Sequence, residues 1–257
     1  MSNFEFLLLL FLLNSFSLSI LIYRSINKKS PRILLKFFLL PIMLSVIFSF
    51  IIQANMQLSE MSKRQIFANL IFIAWCLKSF KSYNFIKALL MEEFLSFIRE
   101  KIANKELLLL LMGVLKVSFL QMMCFSSIIA INYLSGYSAL SILDLLGLFL
   151  CSVGLILDIV SEKEIKNHKR KSAIKTGLWS YVRHPNITGI ILILLGLQVL
   201  ALGAVGSEWS LIGFFIFVWI INRRLIPDIE TRLLSKFPDY IDSIERTPKL
   251  FTLRKIK

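Results

Sequence analysis

Residues 6–22 read FLLLLFLLNSFSLSILI, an apolar run without a charged side chain. A helix needs about 20 such residues to cross roughly 30 Å of hydrocarbon, and further apolar runs follow along the chain. The 257 residues are 56% hydrophobic, with a mean hydropathy of +0.73, whereas soluble domains are closer to about 45–50% apolar. This composition indicates an all-α integral membrane protein that crosses the bilayer several times.

The apolar runs predict about seven transmembrane helices. Their approximate bounds are 4–23, 34–53, 65–80, 107–133, 139–160, 186–204 and 207–222. The last two are expected to form a tight helical hairpin, because Gly203, Gly206 and Ser207 lie between them and the final segment is short for a full crossing. Such a hairpin brings Arg183 and Arg223 to the same face of the membrane.

Charge is distributed unevenly among the connections. The net charge is +14, and the basic residues concentrate in residues 24–36, residues 161–185 and the tail from residue 223, whereas residues 134–138 and 205–206 carry no charge. Because basic loops remain in the cytoplasm, this asymmetry predicts an outside N-terminus and a cytoplasmic C-terminus. The basic balance therefore reflects contact with membrane lipids and does not indicate a nucleic-acid partner.

Two segments are amphipathic. Residues 81–106 predict a helix on the cytoplasmic interface, with apolar side chains at Phe85, Leu89, Phe94, Ile98 and Ile102. Residues 228–246 predict a cytoplasmic amphipathic segment after Pro227, which Pro238 kinks or divides into two short helices. We treat the chain as one polytopic domain, residues 1–257. The three cysteines lie inside apolar runs, so neither a disulfide nor a metal site is expected.

Residues 177–189 read GLWSYVRHPNITG and place polar side chains at the mouth of an apolar segment. Arg183, His184 and Asn186 surround Pro185, a residue suited to the first turn of a helix. Polar groups at such a depth are costly and are commonly functional. By the predicted topology they share the cytoplasmic face with a second polar group, made of Arg223, Arg224, Asp228, Glu230 and Tyr240. Together the two groups predict a small polar pocket.

Each of these residues has a simpler explanation when taken alone. The arginines can anchor to lipid headgroups, His184 can be an interfacial histidine, and Glu230 can be a solvated charge near a helix start. Asp144 lies near an apolar segment without an assignable role. Asp158, near the cytoplasmic end of the fifth segment, is expected to face the pocket.

From about Gly154 to Leu250 the chain resembles the isoprenylcysteine carboxyl methyltransferase and phospholipid methyltransferase superfamily. The resemblance is strongest to bacterial members, which are related to the C-terminal region of steroid 5-alpha reductases. The matching residues are, in order, Asp158, Gly177–Tyr181, Arg183–Asn186, Gly189, Ile226, Pro227, Glu230, Phe237, Tyr240, Thr247 and Pro248. Two positions depart from the family pattern: Ile187 replaces a Tyr, and Ile190 replaces an acidic residue of the reductase-like branch.

The resemblance implies an S-adenosylmethionine-dependent methyltransferase, with residues 139–257 as the cofactor-binding region and residues 1–138 unassigned. The cofactor would enter from the cytosol and a lipophilic methyl acceptor from the bilayer. The implied cofactor-binding residues are Tyr181, Arg183, His184, Asn186, Gly189, Glu230 and Tyr240. The implied catalytic residues are Glu230, which would also position the acceptor, and Arg224, which would bind an acceptor carboxylate or phosphate.

Two other functions fit the same sequence. An NADPH-dependent membrane reductase of lipids or sterols would share the Arg-x-Pro-Asn signature. A non-catalytic membrane protein, either a transporter or a scaffold, would retain the fold without the chemistry.

Overall fold

The computed structural model describes residues 3–27, 39–56, 62–81, 96–98, 100–135, 139–168 and 172–250, and all regular structure in these ranges is helical. The α-helices are α1 (Asn3–Asn27), α2 (Leu40–Met56), α3 (Lys63–Lys81), α4 (Leu107–Cys124), α5 (Ser126–Leu134), α6 (Ile142–Asn167), α7 (Pro185–Leu202), α8 (Leu211–Ile220), α9 (Ile226–Lys236) and α10 (Ile241–Arg246). Three-residue to four-residue 3-10 turns occupy Gly177–Ser180, Glu208–Ser210 and Pro238–Tyr240, and a π-helical turn, Ile221–Leu225, joins α8 to α9.

Five helical stretches among the described residues are long and apolar enough to cross a membrane. They are Glu5–Arg24, Leu107–Cys124, Ile142–Asn167, Pro185–Leu202 and Glu208–Lys236. The prediction of an all-α membrane protein is therefore confirmed. The count of seven crossings is not, because α2 offers only the shorter apolar stretch Leu40–Ile52 and α3 is not among the five. The last stretch also differs from its predicted end at residue 222, since helix continues through the π-turn to Lys236.

Helices α6 and α7 pack closely because glycines face each other across their interface. A Cβ atom on Gly154 would lie 2.6 Å from the carbonyl oxygen of Gly189, and one on Gly196 would lie 2.6 Å from that of Gly147. Both pairs therefore bring backbone against backbone. Small residues allow such an approach in membranes, where van der Waals packing replaces the hydrophobic effect between helices.

Ion pairs join α3 to α6 at two places. Arg64 Nη2 lies 2.9 Å from Asp144 Oδ2, and both side chains are almost fully buried. Further along the same helices, Lys78 Nζ lies 2.8 Å from both Asp158 Oδ2 and Glu162 Oε2. The spacing is equal on both helices, from 64 to 78 and from 144 to 158, and corresponds to about 21 Å. The ion pairs therefore join the two helices at two levels, and the distance between these levels is less than the thickness of the hydrocarbon core of a bilayer, about 30 Å.

A buried amide network joins α2, α3 and α5. The Asn132 side-chain amide donates to Ser49 Oγ at 2.8 Å and to Asn69 Oδ1 at 3.2 Å. The Gln65 side-chain amide in turn donates to the Asn132 carbonyl oxygen at 2.9 Å. Because these side chains are buried and shielded from competing water, the network specifies how the three helices meet.

The two amphipathic segments have different outcomes. Most of residues 81–106, including Phe85, Leu89 and Phe94, lies outside the described residues, and the described Ile98 is buried with side chains of α1 and α4. The C-terminal segment is divided as predicted: α9 ends at Lys236, the 3-10 turn follows at Pro238, and α10 begins at Ile241.

Candidate ligand-binding site at the start of helix α7

The approach to α7 is fixed by the end of α6. Gly177 opens a 3-10 turn with a φ of 62°, a left-handed conformation that glycine adopts without strain. The Glu164 carboxylate accepts the Leu178 backbone N–H, with Oε2 at 3.2 Å, and it fills the space where a Gly177 side chain would project. The turn therefore delivers Arg183 and His184 to the start of α7 in one orientation.

Arg183 and His184 converge on a single carboxylate oxygen. Arg183 Nη1 lies 2.9 Å and His184 Nε2 lies 3.1 Å from Oε1 of Glu230 on α9. His184 occupies the N-cap position of α7, Pro185 follows at the first position of the helix, and the His184 side chain is only 2% exposed. We call Arg183, His184, Glu230 and Tyr240 the polar cluster.

Apolar packing brings α9 to this position. One buried apolar group joins α7, the π-turn and α9. It consists of Ile187 and Ile191 of α7, Ile221 and Leu225 of the π-turn, Ile226 and Ile229 of α9, and Leu250. Helix α9 is amphipathic, and Ile226 and Ile229 face this group while Arg232 and Lys236 are exposed. Ile187, which departs from the family's Tyr, is thus a fully buried packing residue.

Burial sets the protonation state of the polar cluster. Desolvation lowers the pKa of the His184 imidazole, and this effect exceeds the opposing pull of the Glu230 carboxylate. The imidazole is therefore neutral near neutral pH and donates its Nε2 proton to Glu230. Burial raises the pKa of the Tyr240 phenol, and the negative charge of Glu230 raises it further. Tyr240 consequently remains a protonated hydrogen-bond donor.

Several buried polar atoms in the polar cluster or near it in sequence have no hydrogen-bond partner among the described residues. They are Arg183 Nε, Asn186 Oδ1, Tyr240 Oη and Trp179 Nε1 of the preceding 3-10 turn. Buried polar groups are paired in the great majority of cases, and leaving one unpaired costs about 1–3 kcal/mol. Three of these atoms are donors in N–H or O–H groups and one is an amide oxygen. The set is suited to a ligand that presents mainly hydrogen-bond acceptors.

Residues 92–245 match a protein family described as a protein of unknown function, DUF1295. The chain belongs to the DUF1295 family. No curated protein matches the chain, and no solved structure matches it. Membership in DUF1295 is consistent with a steroid 5-alpha-reductase-like membrane protein, and no methyltransferase superfamily is shown. The DUF1295 match contains every predicted site residue.

In this DUF1295 protein the predicted site residues fall into three groups. Arg183, His184, Glu230 and Tyr240 lie together, and Asn186 is buried on the first turn of α7 next to them in sequence. Tyr181 is 52% exposed. Arg224 is exposed on the π-turn, and among the described residues no ion pair joins it to Glu230.

Gly189 and Asp158 lie at contacts between α6 and its neighbouring helices. A side chain on Gly189 would meet the backbone of Gly154 and Asp158, so Gly189 faces α6 and its role in cofactor binding stays a prediction. The Asp158 carboxylate pairs with Lys78 of α3, and the expectation that it faces the pocket stays a prediction. The distance along the chain between Asp158 and Lys78 explains why the sequence did not reveal their contact.

Proposed function

We propose that this DUF1295 protein is a membrane-embedded S-adenosylmethionine-dependent methyltransferase that acts on a lipophilic acceptor. The observation that carries the proposal is the polar cluster with its unpaired buried donors, at the end of a membrane-spanning helix. A buried, unpaired group at that level is costly to maintain, and a ligand that pairs with it offsets the cost.

The unpaired atoms fit the groups that S-adenosylmethionine carries. Its carboxylate and ribose oxygens would accept hydrogen bonds from Arg183 Nε and Tyr240 Oη, and its ammonium or adenine amino group would donate to Asn186 Oδ1. Glu230, with its charge held by Arg183 and His184, would supply an anion for a donor group of the same ligand. An arginine bond to a carboxylate is charge-assisted and therefore strong.

The protein's own task in such a reaction is alignment and exclusion of water. When bound, S-adenosylmethionine would supply an electrophilic methyl group, which the acceptor would take at the methyl carbon while S-adenosylhomocysteine leaves as the neutral thioether. Ordering both reactants in one place provides much of the rate enhancement in reactions of this type. The buried His184 and Tyr240 exclude water from the cluster, and the neutral His184 holds the Glu230 carboxylate in position.

Arg224 is the residue we assign to the acceptor. It is exposed on the π-turn, six positions before Glu230 along a continuous helical stretch whose first part is lipid-exposed. A guanidinium fork there matches the carboxylate or phosphate of a lipid or lipidated acceptor. Arg224→Gln is expected to weaken acceptor use and leave cofactor affinity unchanged.

The test is isothermal titration of S-adenosylhomocysteine, the demethylated product, into the detergent-purified protein. Tyr240→Phe is the sharpest variant, because it removes an unpaired hydroxyl and keeps the buried ring. We expect its affinity to fall about tenfold, the loss of roughly one hydrogen bond, with thermal stability unchanged or raised. Tyr133→Phe, on α5 and remote from the cluster, is the matched control.

Two outcomes would contradict the proposal. Wild-type protein that is well folded and binds no S-adenosylhomocysteine removes the methyltransferase assignment. Wild-type affinity in Tyr240→Phe removes the cluster from the cofactor site. The same titration with NADPH tests the alternative, since DUF1295 membership is consistent with reductase-like proteins and N–H donors also fit phosphate. Saturable NADPH binding without S-adenosylhomocysteine binding would favour the reductase.

A further inference from the structure

The C-terminal segment 237–250, here called the strap, crosses the start of α7. The Arg183 backbone N–H donates to the Pro248 carbonyl oxygen at 2.9 Å, and the Thr188 hydroxyl donates to the Leu250 carbonyl oxygen at 2.6 Å. Tyr240, within the strap, is buried beside Glu230. The strap thus contributes one member of the polar cluster, Tyr240, and accepts a hydrogen bond from the backbone of another, Arg183.

The opposite side of the strap is held by exposed charges. Lys175 Nζ lies 2.9 Å from Asp242 Oδ2 and 3.6 Å from Asp239 Oδ2, and the Ala173 backbone N–H donates to Asp239 Oδ2 at 3.3 Å. We call Lys175, Asp239 and Asp242 the latch. Its side chains are between 40% and 54% exposed, so their attraction is weak and screened by salt.

The strap has little apolar packing to hold it otherwise. Tyr240, Ser243 and Leu250 are its buried residues, whereas Ile241, Asp242, Glu245 and Arg246 are exposed. Segments with few buried contacts and exposed hydrogen bonds open locally at low free-energy cost. Opening of the strap would uncover the cluster without disturbing the membrane-spanning helices.

We propose that the strap is a salt-sensitive lid over the polar cluster, closed by the latch between Lys175 and the aspartates of the strap. Water-soluble ligands reach Arg183, His184 and Asn186 when the latch releases. The proposal concerns access and rests on the proposed function only for the identity of the ligand that enters.

Access is measured with a thiol-reactive probe, which requires no ligand. Asn186→Cys places a thiol at the cluster, and the native Cys76, Cys124 and Cys151 are buried, so the parent protein provides the background rate. We expect labelling by a water-soluble maleimide to accelerate roughly two- to fivefold as KCl rises from about 0.05 M to about 0.5 M, because the screened latch is an exposed ion pair.

Charge removal separates the latch from a general effect of salt. In the Asn186→Cys background, Lys175→Gln should label fast at low salt and lose the salt dependence, and Lys175→Arg should retain the parent behaviour. Lys163→Gln is the matched control, since Lys163 is exposed on α6 and forms no ion pair with another described residue. Equal labelling rates in Lys175→Gln and Lys163→Gln would overturn the proposal.

Hydrogen exchange provides a second readout in protein with Asn186 intact. The Arg183 amide, which donates to Pro248, should exchange faster in Lys175→Gln than in wild type by a similar factor. Unchanged exchange at Arg183 and in the strap would exclude the lid even if Asn186→Cys failed to fold. Absence of S-adenosylhomocysteine binding would leave these measurements intact and count against the proposed function alone.

Discussion

Individual side chains at the start of α7 depend on one carboxylate. Glu230 receives both the Arg183 guanidinium and the His184 imidazole, whose side chains are 11% and 2% exposed. Hydrogen bonds to charged groups in such surroundings contribute about 1.5–3 kcal/mol. The residue therefore matters for folding as well as for any ligand.

Replacement of Glu230 by an uncharged isostere tests this dependence. Glu230→Gln should lower the free energy of unfolding by about 1–3 kcal/mol, because Arg183 loses its counter-charge in a largely buried position. Thermal unfolding in detergent measures the change. Glu245→Gln, on the exposed side of α10, should differ from wild type by less than about 0.5 kcal/mol, and an equally small effect at Glu230 would contradict the assignment.

The acid sensitivity of the protein should depend on His184. Burial lowers its pKa in the folded state, whereas the unfolded chain titrates near 6.5. The unfolded state therefore binds a proton first, and stability should fall as the pH drops below about 6.5, by at most about 1.4 kcal/mol per pH unit. Unfolding measured between about pH 5 and 7 should lose this slope in His184→Gln and keep it in His168→Gln, which changes the exposed loop histidine. Equal slopes in both variants would show that another group is responsible.

At the scale of helices, the facing glycines of α6 and α7 leave no room for a side chain. A Cβ at Gly154 would meet the Gly189 carbonyl oxygen at 2.6 Å and the Ile193 backbone nitrogen at 2.7 Å, and backbone atoms cannot rotate away as a side chain would. Alanine gains about 1 kcal/mol of intrinsic helix propensity over glycine. The forced separation of two packed helices costs about 1–3 kcal/mol, so the steric effect should prevail.

Gly154→Ala is accordingly expected to destabilise the protein despite its better helix propensity. Ser152→Ala, on the exposed side of the same helix, is the control and should be close to neutral. Thermal unfolding of both variants in the same detergent decides the matter. A stabilised Gly154→Ala would mean that α6 and α7 are free to move apart.

The sequence predicted where the helices lie along the chain, and it did not predict which residues of different helices contact each other. Each of the seven predicted apolar runs contains helix in its described part, because hydrophobicity over a stretch is a local property. The pairings Arg64–Asp144 and Lys78–Asp158 join residues 80 positions apart, and no local pattern links them. For the same reason the sequence did not reveal that Gly189 packs against α6. The cluster around His184 was predicted from a resemblance, because the residues that match the methyltransferase superfamily include all four of its members.

At the scale of the whole molecule, the buried Arg64–Asp144 pair specifies how α3 and α6 are arranged and contributes little net stability. Removal of one charge from such a pair leaves the other uncompensated and costs about 3–5 kcal/mol, whereas removal of both is often nearly neutral. Asp144→Asn is the suitable single variant, since an amide oxygen can still accept from the Ser141 backbone N–H that Asp144 caps.

Asp144→Asn should therefore destabilise the protein strongly, and Arg64→Gln combined with Asp144→Asn should recover most of the loss. Thermal unfolding of the two single variants and the double variant forms a complete cycle. A double variant as unstable as the sum of the single ones would show that the charges act independently. Lys78 pairs with two carboxylates, those of Asp158 and Glu162, so a double variant of two residues cannot neutralise that group.

The π-turn between α8 and α9 also has a consequence for the phase of the helix. The lipid-exposed side of α8 passes through Ile212, Phe215 and Trp219, and a regular repeat of 3.6 residues would carry that side onward to Ile226 and Glu230. In the structure it passes instead through Pro227 and Thr231, which are exposed, while Ile226 is buried. Because the π-turn holds one additional residue, each residue after it is rotated by about 100° relative to its place in a regular α-helix of the same sequence. The turn absorbs the additional residue without changing the orientation of the helix faces that follow, so deletion of Asn222 should restore a regular α-helix and leave the Glu230 carboxylate directed at the interior.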